Sequence, residues 1–555
     1  MGVGTPKTLY SLGWQKGYSQ RKVEKPVSKF TSRQARMEKD RGSLTRGTLL
    51  ALLACLAVLL AAGCSGPGTA REETQAPTQP PVGQEEASEA SDRPNIIFVL
   101  ADDLDLASAG LMPNLRSLLA QEGATFENAL VSYPICCPSR ATTLTGLYSH
   151  NHNVRGNKRP VGGFERFREQ GNEENTIAAR LQEEGYRTAL FGKYLNGYGN
   201  DDPAYVPPGW DEWYAKPGRF EYYDYELNEN GELVSYGGEE ENYLTDVLSG
   251  HATDFIRRSA SEDRPFFAYV APTAPHSPAT PAERHEGAFA SEEAPRTPSF
   301  DEEDVSDKPT WVQGAEPLAQ KETSRLDTRH QQRLESMLAV DEMVGALIEE
   351  LETAGELENT YIFFTSDNGF HLGTHRLRHG KKTPYEEAAR VPLFVRGPGV
   401  PAGSSVEEMV LNNDFAPTFA ELASLKGFKT DGRSLLPLMR GEEPPFDWRS
   451  AVLLEAFLDG KSAGEEGDAE TDDEEGTGEG NRTDQTNFRS VRTATHKYVE
   501  HGNGERELYD LQNDPYELEN VYEKADPALV EDLKGRLEAL KECAGDGCRD
   551  AEDAR

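Results

Sequence analysis

The chain has 555 residues, of which 96 are acidic and 58 are basic, so its formal net charge at neutral pH is −38. This length is enough for one large or two ordinary domains with a sizeable core. So acidic a chain repels nucleic acid, and an anionic substrate would need a local cluster of positive side chains.

The N-terminal region predicts export. An apolar run over residues 48–62 follows basic residues and ends in Ala61-Ala62-Gly63-Cys64. It is too short to span a membrane and has the basic start and small-residue end of a secretory signal. Residues 1–64 are therefore predicted to be a signal segment. Its end is similar to the lipobox of bacterial lipoproteins, in which Cys64 carries a lipid; ordinary signal cleavage with an incidental Cys64 is the alternative.

The stretch that follows predicts how the protein is held outside the cell. Residues 65–93 are rich in Gly, Pro, Gln and Glu, with almost nothing to bury, and are expected to be a disordered linker. We therefore expect an exported protein, either tethered to the outer face of the cell membrane by its lipid anchor or secreted.

Strand and helix patterns alternate from Pro94 onward. Apolar runs of strand length occur at 95–100, 187–191, 264–271, 360–365 and 392–396; helical patterns occur at 112–123, 176–184 and 329–354, and a hairpin pattern at 222–236. This alternation predicts an α/β catalytic domain over residues 94–425, with a large mixed sheet flanked by helices.

The C-terminal part has a different character. Residues 426–548 are expected to form a smaller α+β subdomain, and residues 549–555 a tail. Strands are predicted at 452–457, 488–500 and 507–511, a helix at 527–543, and a solvated acidic loop at 461–486. Cys543 and Cys548 are spaced for a small disulfide outside the cytoplasm, although two free thiols would have the same spacing.

Polar residues follow several of the predicted strands of the large sheet. They are Asp102 and Asp103, Lys193, His276, and Asp367 and Asn368. Chemistry in α/β sheets gathers beyond the carboxyl ends of the strands. The Asp and Asn residues offer only oxygen ligands, which suits a hard cation, although each pair alone is also a common turn sequence.

The most informative motif is Cys136-Cys137-Pro138-Ser139-Arg140, which Leu144-Thr145-Gly146 follows. The two cysteines could be a structural pair or small buried side chains without chemistry. Against that, the order of Cys, Pro, Ser and Arg before Leu-Thr-Gly is similar to the sulfatase signature, in which the first cysteine is oxidised to formylglycine.

The chain resembles the formylglycine-dependent sulfatases from Asn95 to about Val521, and within them the branch of N-acetylglucosamine-6-sulfatases and extracellular glucosamine endosulfatases. Further segments that carry the resemblance are Gly192-Lys193-Tyr194-Leu195-Asn196, Gly209-Trp210-Asp211, Ala274-Pro275-His276-Ser277-Pro278, Ser366-Asp367-Asn368-Gly369 and Leu508-Tyr509-Asp510-Leu511.

The resemblance implies a nucleophile and a metal ion. Cys136 would be converted to formylglycine by a formylglycine-generating enzyme, and the hydrated aldehyde would supply the attacking oxygen. One calcium ion would polarise the sulfate. Its ligands would be Asp102, Asp103, Asp367, Asn368 and residue 136.

The resemblance also implies roles for four basic residues. Arg140 would hold the hydrated aldehyde and the metal-site carboxylates. Lys193, His276 and Lys381 would bind sulfate oxygens, and His276 or Lys381 would protonate the leaving alcohol. Lys381 is preferred over Lys382 because it stands five residues before Glu386, as in the family.

One position departs from the family pattern. Many sulfatases have a histidine two residues after the site lysine, whereas this chain has Leu195. The group that deprotonates the second hydroxyl is therefore open, with His152, His276 and His371 as candidates. His152, His371 and Asn196 are also candidate contacts to the sulfate or the sugar.

The resemblance implies a sulfuric ester hydrolase acting on a sulfated sugar, of the 6-O-sulfated glucosamine type, or on an aryl sulfate. One alternative is a metal-dependent phosphodiesterase or phosphonate hydrolase of the same superfamily, which a second metal site rich in His and Asp would favour. Another is a non-catalytic surface lipoprotein that binds sulfated glycan, which would require a lost nucleophile or ligand.

Overall fold

The computed structural model describes residues 93–218, 221–262, 264–443, 448–457 and 487–554. The predicted signal segment with Cys64, the linker up to residue 92 and the acidic loop 461–486 lie outside the described residues.

Ten strands form one mixed sheet. They are β1 (Asn95–Ala101), β2 (Ala124–Leu130), β3 (Arg187–Gly192), β4 (Glu212–Ala215), β5 (Tyr225–Glu229), β6 (Glu232–Tyr236), β7 (Phe266–Ala271), β8 (Thr360–Ser366), β9 (Leu393–Arg396) and β10 (Ser404–Leu411). Their spatial order is β10-β2-β9-β8-β1-β7-β3-β4-β5-β6. The central strands β8, β1, β7, β3 and β4 are parallel, and antiparallel pairing enters with β9 and β5. The predicted large mixed sheet is confirmed.

Helices and helical turns connect the strands. The helices are α1 (Leu106–Ala109), α2 (Cys136–Thr145), α3 (Ser149–His152), α4 (Gly163–Glu169), α5 (Ile177–Glu183), α6 (Leu244–Ser259), α7 (Thr310–Gln313), α8 (Gln320–Ala354), α9 (Glu386–Ala389), α10 (Phe415–Leu422), α11 (Leu436–Met439), α12 (Pro527–Leu540) and α13 (Asp546–Asp553). Short 3₁₀ turns cover Glu173–Asn175, Glu240–Asn242, Glu283–His285, Leu357–Asn359, Asn412–Asp414 and Tyr522–Lys524. Within the described ranges, no helix is long and apolar enough to cross a membrane.

The strand β1 shows why the central runs are continuously apolar. Ile96 and Phe98 face one core layer, where the Phe98 ring lies 5.1 Å from that of Phe415 on α10. Ile97 and Val99 face the opposite layer, which includes residues of α6 and α8. Because helices cover both faces of the sheet, both sides of each central strand are buried.

Three predicted elements differ in their bounds. The helix expected from residue 329 begins at Gln320, where Glu322 caps it by accepting a hydrogen bond from the Ala319 N–H. The sequence missed this start because the first turns are too polar to show an apolar period. The helix expected over 112–123 is reduced to a π-helical turn at Leu115–Ala120.

The third difference is in the C-terminal sheet, where the strand expected over 488–500 is two strands. The Thr493 hydroxyl accepts the His496 N–H at 2.9 Å and so closes a turn between them. The antiparallel sheet comprises β11 (Ala451–Ala456), β12 (Phe488–Thr493), β13 (His496–His501) and β14 (Arg506–Asp510), in that order.

The end of the chain packs on this second sheet. Leu533 and Leu537 of α12 share a core with residues of β11 and β12. Cys543 and Cys548 form a disulfide just after α12, as one of the two sequence interpretations predicted.

Candidate active site

Four adjacent parallel strands end at one edge of the large sheet, and each is followed by polar side chains. In the spatial order β8, β1, β7 and β3, these are Asp367 and Asn368, Asp102 and Asp103, His276, and Lys193. Parallel strands present their carboxyl ends at the same edge, so residues far apart in the chain meet there.

The turns after β1 and β8 are locked together. Ala101 pairs with Ser366, so the two turns start side by side. The Asp103 N–H donates to Asp367 Oδ1 at 3.0 Å, and Asn368 Nδ2 donates to Asp103 Oδ1 at 2.8 Å. Asn368 Oδ1 is buried and has no hydrogen-bond partner among the described residues.

Cys136 begins helix α2 and points at these turns. Its Sγ lies 3.5 Å from Asp102 Oδ1 and 3.9 Å from Asp103 Oδ1, and the Lys381 ammonium donates to it at 2.8 Å. Ligand atoms of Asp102, Asp103, Cys136 and Asp367 all lie within 4.8 Å of one another. The sequence motif and the strand-end carboxylates therefore belong to one cluster.

The Cys136 side chain is not poised as a thiolate. Burial raises the pKa of its thiol well above the ordinary value, and the neighbouring charges of Lys193 and Lys381 do not offset this. A protonated, buried thiol is a poor nucleophile.

Three cations face the three carboxylates. Arg140, one turn along α2, donates from Nε to Asp367 Oδ2 at 2.7 Å, and Lys193 Nζ donates to Asp102 Oδ2 at 2.6 Å. Lys381 Nζ also pairs with Asp103 Oδ1. Burial alone would raise the pKa of Asp102, but Lys193, His276 and Arg140 outweigh it and lower that pKa to about 2. The carboxylate of Asp102 is therefore ionised at neutral pH.

The donor set suits a hard divalent cation. Carboxylate oxygens of Asp102, Asp103 and Asp367 lie within 4.8 Å of one another, the Asn368 amide contacts Asp103, and hard cations prefer such oxygen donors. The sulfur of Cys136 is the one soft donor in the group, and replacing it with an aldehyde-derived oxygen would make the set all-oxygen. With a divalent ion added, the charge balance of the site becomes positive and favours an anionic substrate.

His276 faces the same cluster. Its Nδ1 donates to the Ser277 carbonyl at 2.7 Å, which leaves Nε2 as the nitrogen without a proton in the neutral ring. That Nε2 lies 3.9 Å from Asp103 Oδ2. The imidazole is thus oriented with its proton-accepting nitrogen toward the reaction centre.

His371 shapes the loop that carries Lys381. Its ring nitrogens contact the hydroxyls of Thr374 and Thr383 at 2.6 Å and 2.7 Å. Its backbone N–H donates to the Gly380 carbonyl at 2.7 Å. The side chain is 1% exposed. These contacts are those of a residue that positions Lys381, and the expected sugar contact stays a prediction.

The His152 side chain lies between helices α2 and α3. Its Nδ1 accepts the Val154 N–H at 3.1 Å, so Nε2 carries the proton and donates to the Thr142 hydroxyl at 3.0 Å. Thr142 stands six residues after Cys136, roughly 9 Å along α2. Burial lowers the pKa of His152 to about 3. This neutral, enclosed ring connects α3 to α2, and its role as a base or a substrate contact stays a prediction.

In the segment after Lys193, Leu195 stands where many sulfatases have a histidine. Leu195 is 3% exposed and packs in the hydrophobic core, so no titratable group stands there. Asn196 is 8% exposed, and its carbonyl accepts the Phe164 N–H at 2.7 Å. A contact between Asn196 and the substrate stays a prediction.

Arg333, in the middle of α8, is a site residue that sequence reasoning missed. Its guanidinium donates to the Asp103 carbonyl and, at 3.2 Å, to the Pro275 carbonyl, and it lies 4.2 Å from the centre of the Phe370 ring. It therefore ties together the segments that carry Asp103, His276 and Asn368. A helical arginine without a motif gives no sequence signal for such a role.

Comparisons with known proteins agree with this geometry. A sulfatase family profile matches residues 94–425. The N-acetylglucosamine-6-sulfatase of Capra hircus is 36% identical over 496 residues, covering 84% of this chain and 87% of that protein. A solved structure of a protein in complex with its substrate D-glucosamine-2-N,6-O-disulfate matches with a TM-score of 0.68 at 26% identity, covering 83% of this chain and 99% of that one.

The fold is shared more widely. The phosphonate monoester hydrolase of Agrobacterium radiobacter matches with a TM-score of 0.60 at 25% identity, covering 81% of this chain and 95% of that one. The family profile, however, spans more than half of the chain, and the N-acetylglucosamine-6-sulfatase spans most of it. The chain therefore belongs to the sulfatase family and is a sulfuric ester hydrolase related to the N-acetylglucosamine-6-sulfatases.

Proposed function

We propose that this sulfatase releases sulfate from a 6-O-sulfated, glucosamine-type sugar, and also from aryl sulfates, with formylglycine at position 136 and one calcium ion. The substrate class is supported by the relatives, which include N-acetylglucosamine-6-sulfatases and a protein solved with a glucosamine disulfate. The observation that carries the mechanism is the position of Cys136, between the carboxylates of Asp102 and Asp103 and the ammonium of Lys381.

A calcium ion, when bound, would polarise the sulfate and favour ionisation of the nucleophilic hydroxyl. Asp102, Asp103, Asp367 and the Asn368 oxygen would hold it together with residue 136. Arg140 keeps Asp367 in place through its Nε contact of 2.7 Å, and its Nη1 donates to the Lys193 carbonyl at 3.0 Å. One buried guanidinium thus connects the metal site to the sulfate-binding lysine.

Lys193 and Lys381 would bind the oxygens of the transferring sulfuryl group. Their ammonium groups flank Cys136 from two sides, one paired with Asp102 and the other with Asp103. Fixed cations stabilise the negative charge that develops on these oxygens, and they do so most strongly in a buried site. This local positive pair is what the acidic chain needs in order to accept an anionic ester.

His276 would transfer protons in both steps, the departure of the sugar alcohol and the release of sulfate. Its Nε2 faces the reaction centre because Nδ1–H is held by the Ser277 carbonyl. We propose that this ring, in its doubly protonated form, donates the Nε2 proton to the leaving sugar alcohol and so becomes neutral, with Lys381 as the second candidate for the acid. Since Leu195 is in the core and His152 is enclosed, His276 is also our candidate for the base in the step that releases sulfate.

We also propose where the protein works and how it matures. The disulfide between Cys543 and Cys548 supports an oxidising compartment outside the cytoplasm. Conversion of Cys136 would need a formylglycine-generating enzyme. Anchoring through Cys64 is proposed from the sequence.

The decisive experiment combines mass spectrometry with an aryl-sulfate assay on protein from a host that has a formylglycine-generating enzyme. The tryptic peptide 117–140 should carry the aldehyde at Cys136 and an unmodified Cys137, and the same sample should cleave the aryl sulfate. Cys136→Ala should abolish turnover, while the matched Cys137→Ala should keep it because Cys137 packs in the core. An unconverted Cys136 in active protein would refute the proposed nucleophile.

Phosphonate ester hydrolysis is a second candidate, because the fold is shared with a phosphonate monoester hydrolase. The matured enzyme should be given aryl sulfate and aryl phosphonate under the same conditions. We expect the kcat/KM for the sulfate to be the larger, and the reverse order would favour this second candidate. If a fully converted protein binds sulfated glycan and cleaves neither ester, it is a binding protein.

A further inference from the structure

The loop that carries His276 has few backbone donors of its own. It runs Ala274-Pro275-His276-Ser277-Pro278 and lies between β7 and the 3₁₀ turn at Glu283–His285. Its two prolines have no N–H to donate. His276 is 3% exposed, and buried backbone carbonyls need hydrogen-bond donors. Part of the support of this loop must therefore come from side chains elsewhere in the chain.

Two buried tyrosines supply donors to this loop and the residues after it. The Tyr222 hydroxyl donates to the His276 carbonyl at 2.7 Å, and the Tyr243 hydroxyl donates to the Thr280 carbonyl at 2.9 Å. The two tyrosine rings stack with their centroids 5.8 Å apart. The Leu244 N–H donates to the Tyr222 carbonyl at 3.0 Å, which ties Tyr222 to the first residue of α6. The tyrosine pair thus holds the loop at two points.

The contact of Tyr222 falls on His276 itself. The His276 carbonyl also accepts the Ala279 N–H at 2.9 Å, so both of its acceptor positions are used. Burial raises the pKa of Tyr222 well above its ordinary value, so its hydroxyl stays protonated and can donate. Two donors therefore fix the peptide group between His276 and Ser277. This peptide group sets where the Ser277 carbonyl stands relative to the imidazole.

The position of the Ser277 carbonyl decides which ring nitrogen faces the reaction. It accepts the proton of His276 Nδ1 at 2.7 Å, and Nε2 then lies 3.9 Å from Asp103 Oδ2. In the doubly protonated ring this carbonyl retains the Nδ1 proton, so the Nε2 proton is the one available to the leaving alcohol. A rotation of the peptide group would turn the ring and move Nε2 away from the ester oxygen.

We propose that Tyr222 is a positioning residue for His276, and that its hydroxyl keeps Nε2 directed at the leaving oxygen. The inference rests on the proposed role of His276 as the acid and adds the residue that orients it. In this step the bond between sulfur and the leaving oxygen breaks, that oxygen takes the Nε2 proton, and the imidazole becomes neutral. Tyr222 neither gains nor loses a proton.

Esters with different leaving groups test this role. The converted wild type and Tyr222→Phe are assayed with glucosamine 6-sulfate, whose alcohol needs a proton to leave, and with para-nitrophenyl sulfate, whose phenolate does not. The quantity compared is kcat/KM, because it covers only the steps up to the departure of the leaving group. We expect Tyr222→Phe to lower it about five- to tenfold for the sugar sulfate, the value of one hydrogen bond, and less than about twofold for the aryl sulfate.

Tyr225→Phe is the matched control. It also removes a buried tyrosine hydroxyl, but one that has no hydrogen-bond partner among the described residues. It should leave kcat/KM for both esters unchanged. Equal losses on the two esters in Tyr222→Phe would show that Tyr222 serves only the fold and would overturn the proposal, and so would the absence of any loss.

A His276→Ala background separates this role from the proposed function. If Tyr222 acts through His276, adding Tyr222→Phe to His276→Ala should cause no further loss on the sugar sulfate, and a further loss of the same size would overturn the proposal. An unchanged ratio of the two esters in His276→Ala would refute the acid and, with it, the role of Tyr222. A normal Tyr222→Phe beside an impaired His276→Ala would refute the positioning role alone.

Discussion

Asn368 gives the metal proposal its sharpest single-residue test. Its Oδ1 is buried without a hydrogen-bond partner in the described part of the chain, whereas its Nδ2 is used by Asp103. An orphaned buried oxygen costs free energy unless a ligand satisfies it. A cation bound at this point would satisfy that oxygen.

We predict that calcium raises the melting temperature of chelator-treated protein and that Asn368→Ala weakens this effect. Binding to the folded state alone stabilises it by an amount that grows with the logarithm of one plus the ligand concentration over Kd. Loss of one oxygen ligand should raise the apparent Kd for calcium about tenfold or more, as measured by thermal shift across a calcium series.

The control for this prediction is Asn503→Ala, an exposed substitution in the turn between β13 and β14 of the C-terminal sheet. It should follow the wild-type calcium curve. Identical calcium curves for Asn368→Ala and the wild type would remove Asn368 from the ligand set.

At the scale of elements, helix α8 acts as a brace for the strand-end loops. Arg333 reaches from it to the carbonyls of Asp103 and Pro275. The Asp103 backbone is left-handed, with φ of 67°, an unfavourable conformation for a residue with a side chain. A buried guanidinium that bonds this carbonyl helps to hold the turn in the shape that directs its carboxylate at the site.

We predict that Arg333→Met lowers calcium affinity and kcat by about 10–100-fold, the range seen when a partner of a metal ligand is removed. Arg333→Lys should recover part of the loss because it keeps the charge but not the forked geometry. The measurements are calcium-dependent activity and thermal shift on the same preparations.

Arg325→Met is the matched control, because Arg325 is exposed on the same helix. It should leave the calcium affinity and kcat unchanged. A drop in melting temperature for Arg333→Met without any change in calcium dependence would show that Arg333 serves the fold and not the site.

At the scale of the whole molecule, a buried ionic cluster links the loop that follows β8 to the C-terminal sheet. His375 contacts Glu302 at 2.7 Å and Glu387 at 3.6 Å, and it stacks on the Tyr385 ring at 4.2 Å. Tyr385 in turn donates to Glu507 of β14 at 3.0 Å. The smaller sheet thereby supports the loop on which Lys381 lies.

This cluster predicts a pH dependence of stability. Burial lowers the pKa of His375, but Glu387 and Glu302 outweigh it and raise that pKa from 6.5 to about 9. The folded state therefore holds one more proton than the unfolded state between these pH values. The stabilisation is complete below pH 6.5 and is lost as pH rises toward 9, with a slope of up to about 1.4 kcal/mol per pH unit.

Denaturant unfolding at several pH values checks this dependence. The wild type should lose stability between pH 6.5 and 9, and His375→Gln should be less stable at pH 6.5 with a flatter profile in that window. Parallel profiles for the two proteins would show that His375 is not the titrating group.

The sequence determined the fold class and most of the reaction centre. Continuous apolar runs marked the central strands because both faces of the sheet are buried, and polar pairs directly after them marked the catalytic edge. The order of Cys136, Pro138, Ser139 and Arg140 predicted the nucleophile position through its resemblance to the sulfatase signature, and these residues lie at the start of one helix. These features are local, so periodicity and spacing reveal them.

Only the tertiary structure decided what depends on contacts between distant segments. It showed His152 enclosed against Thr142, and it brought Arg333 to Asp103 across 230 residues of chain. Burial and partner choice arise from packing between elements, and a hydrogen bond that crosses the molecule leaves no pattern in the residues next to either end.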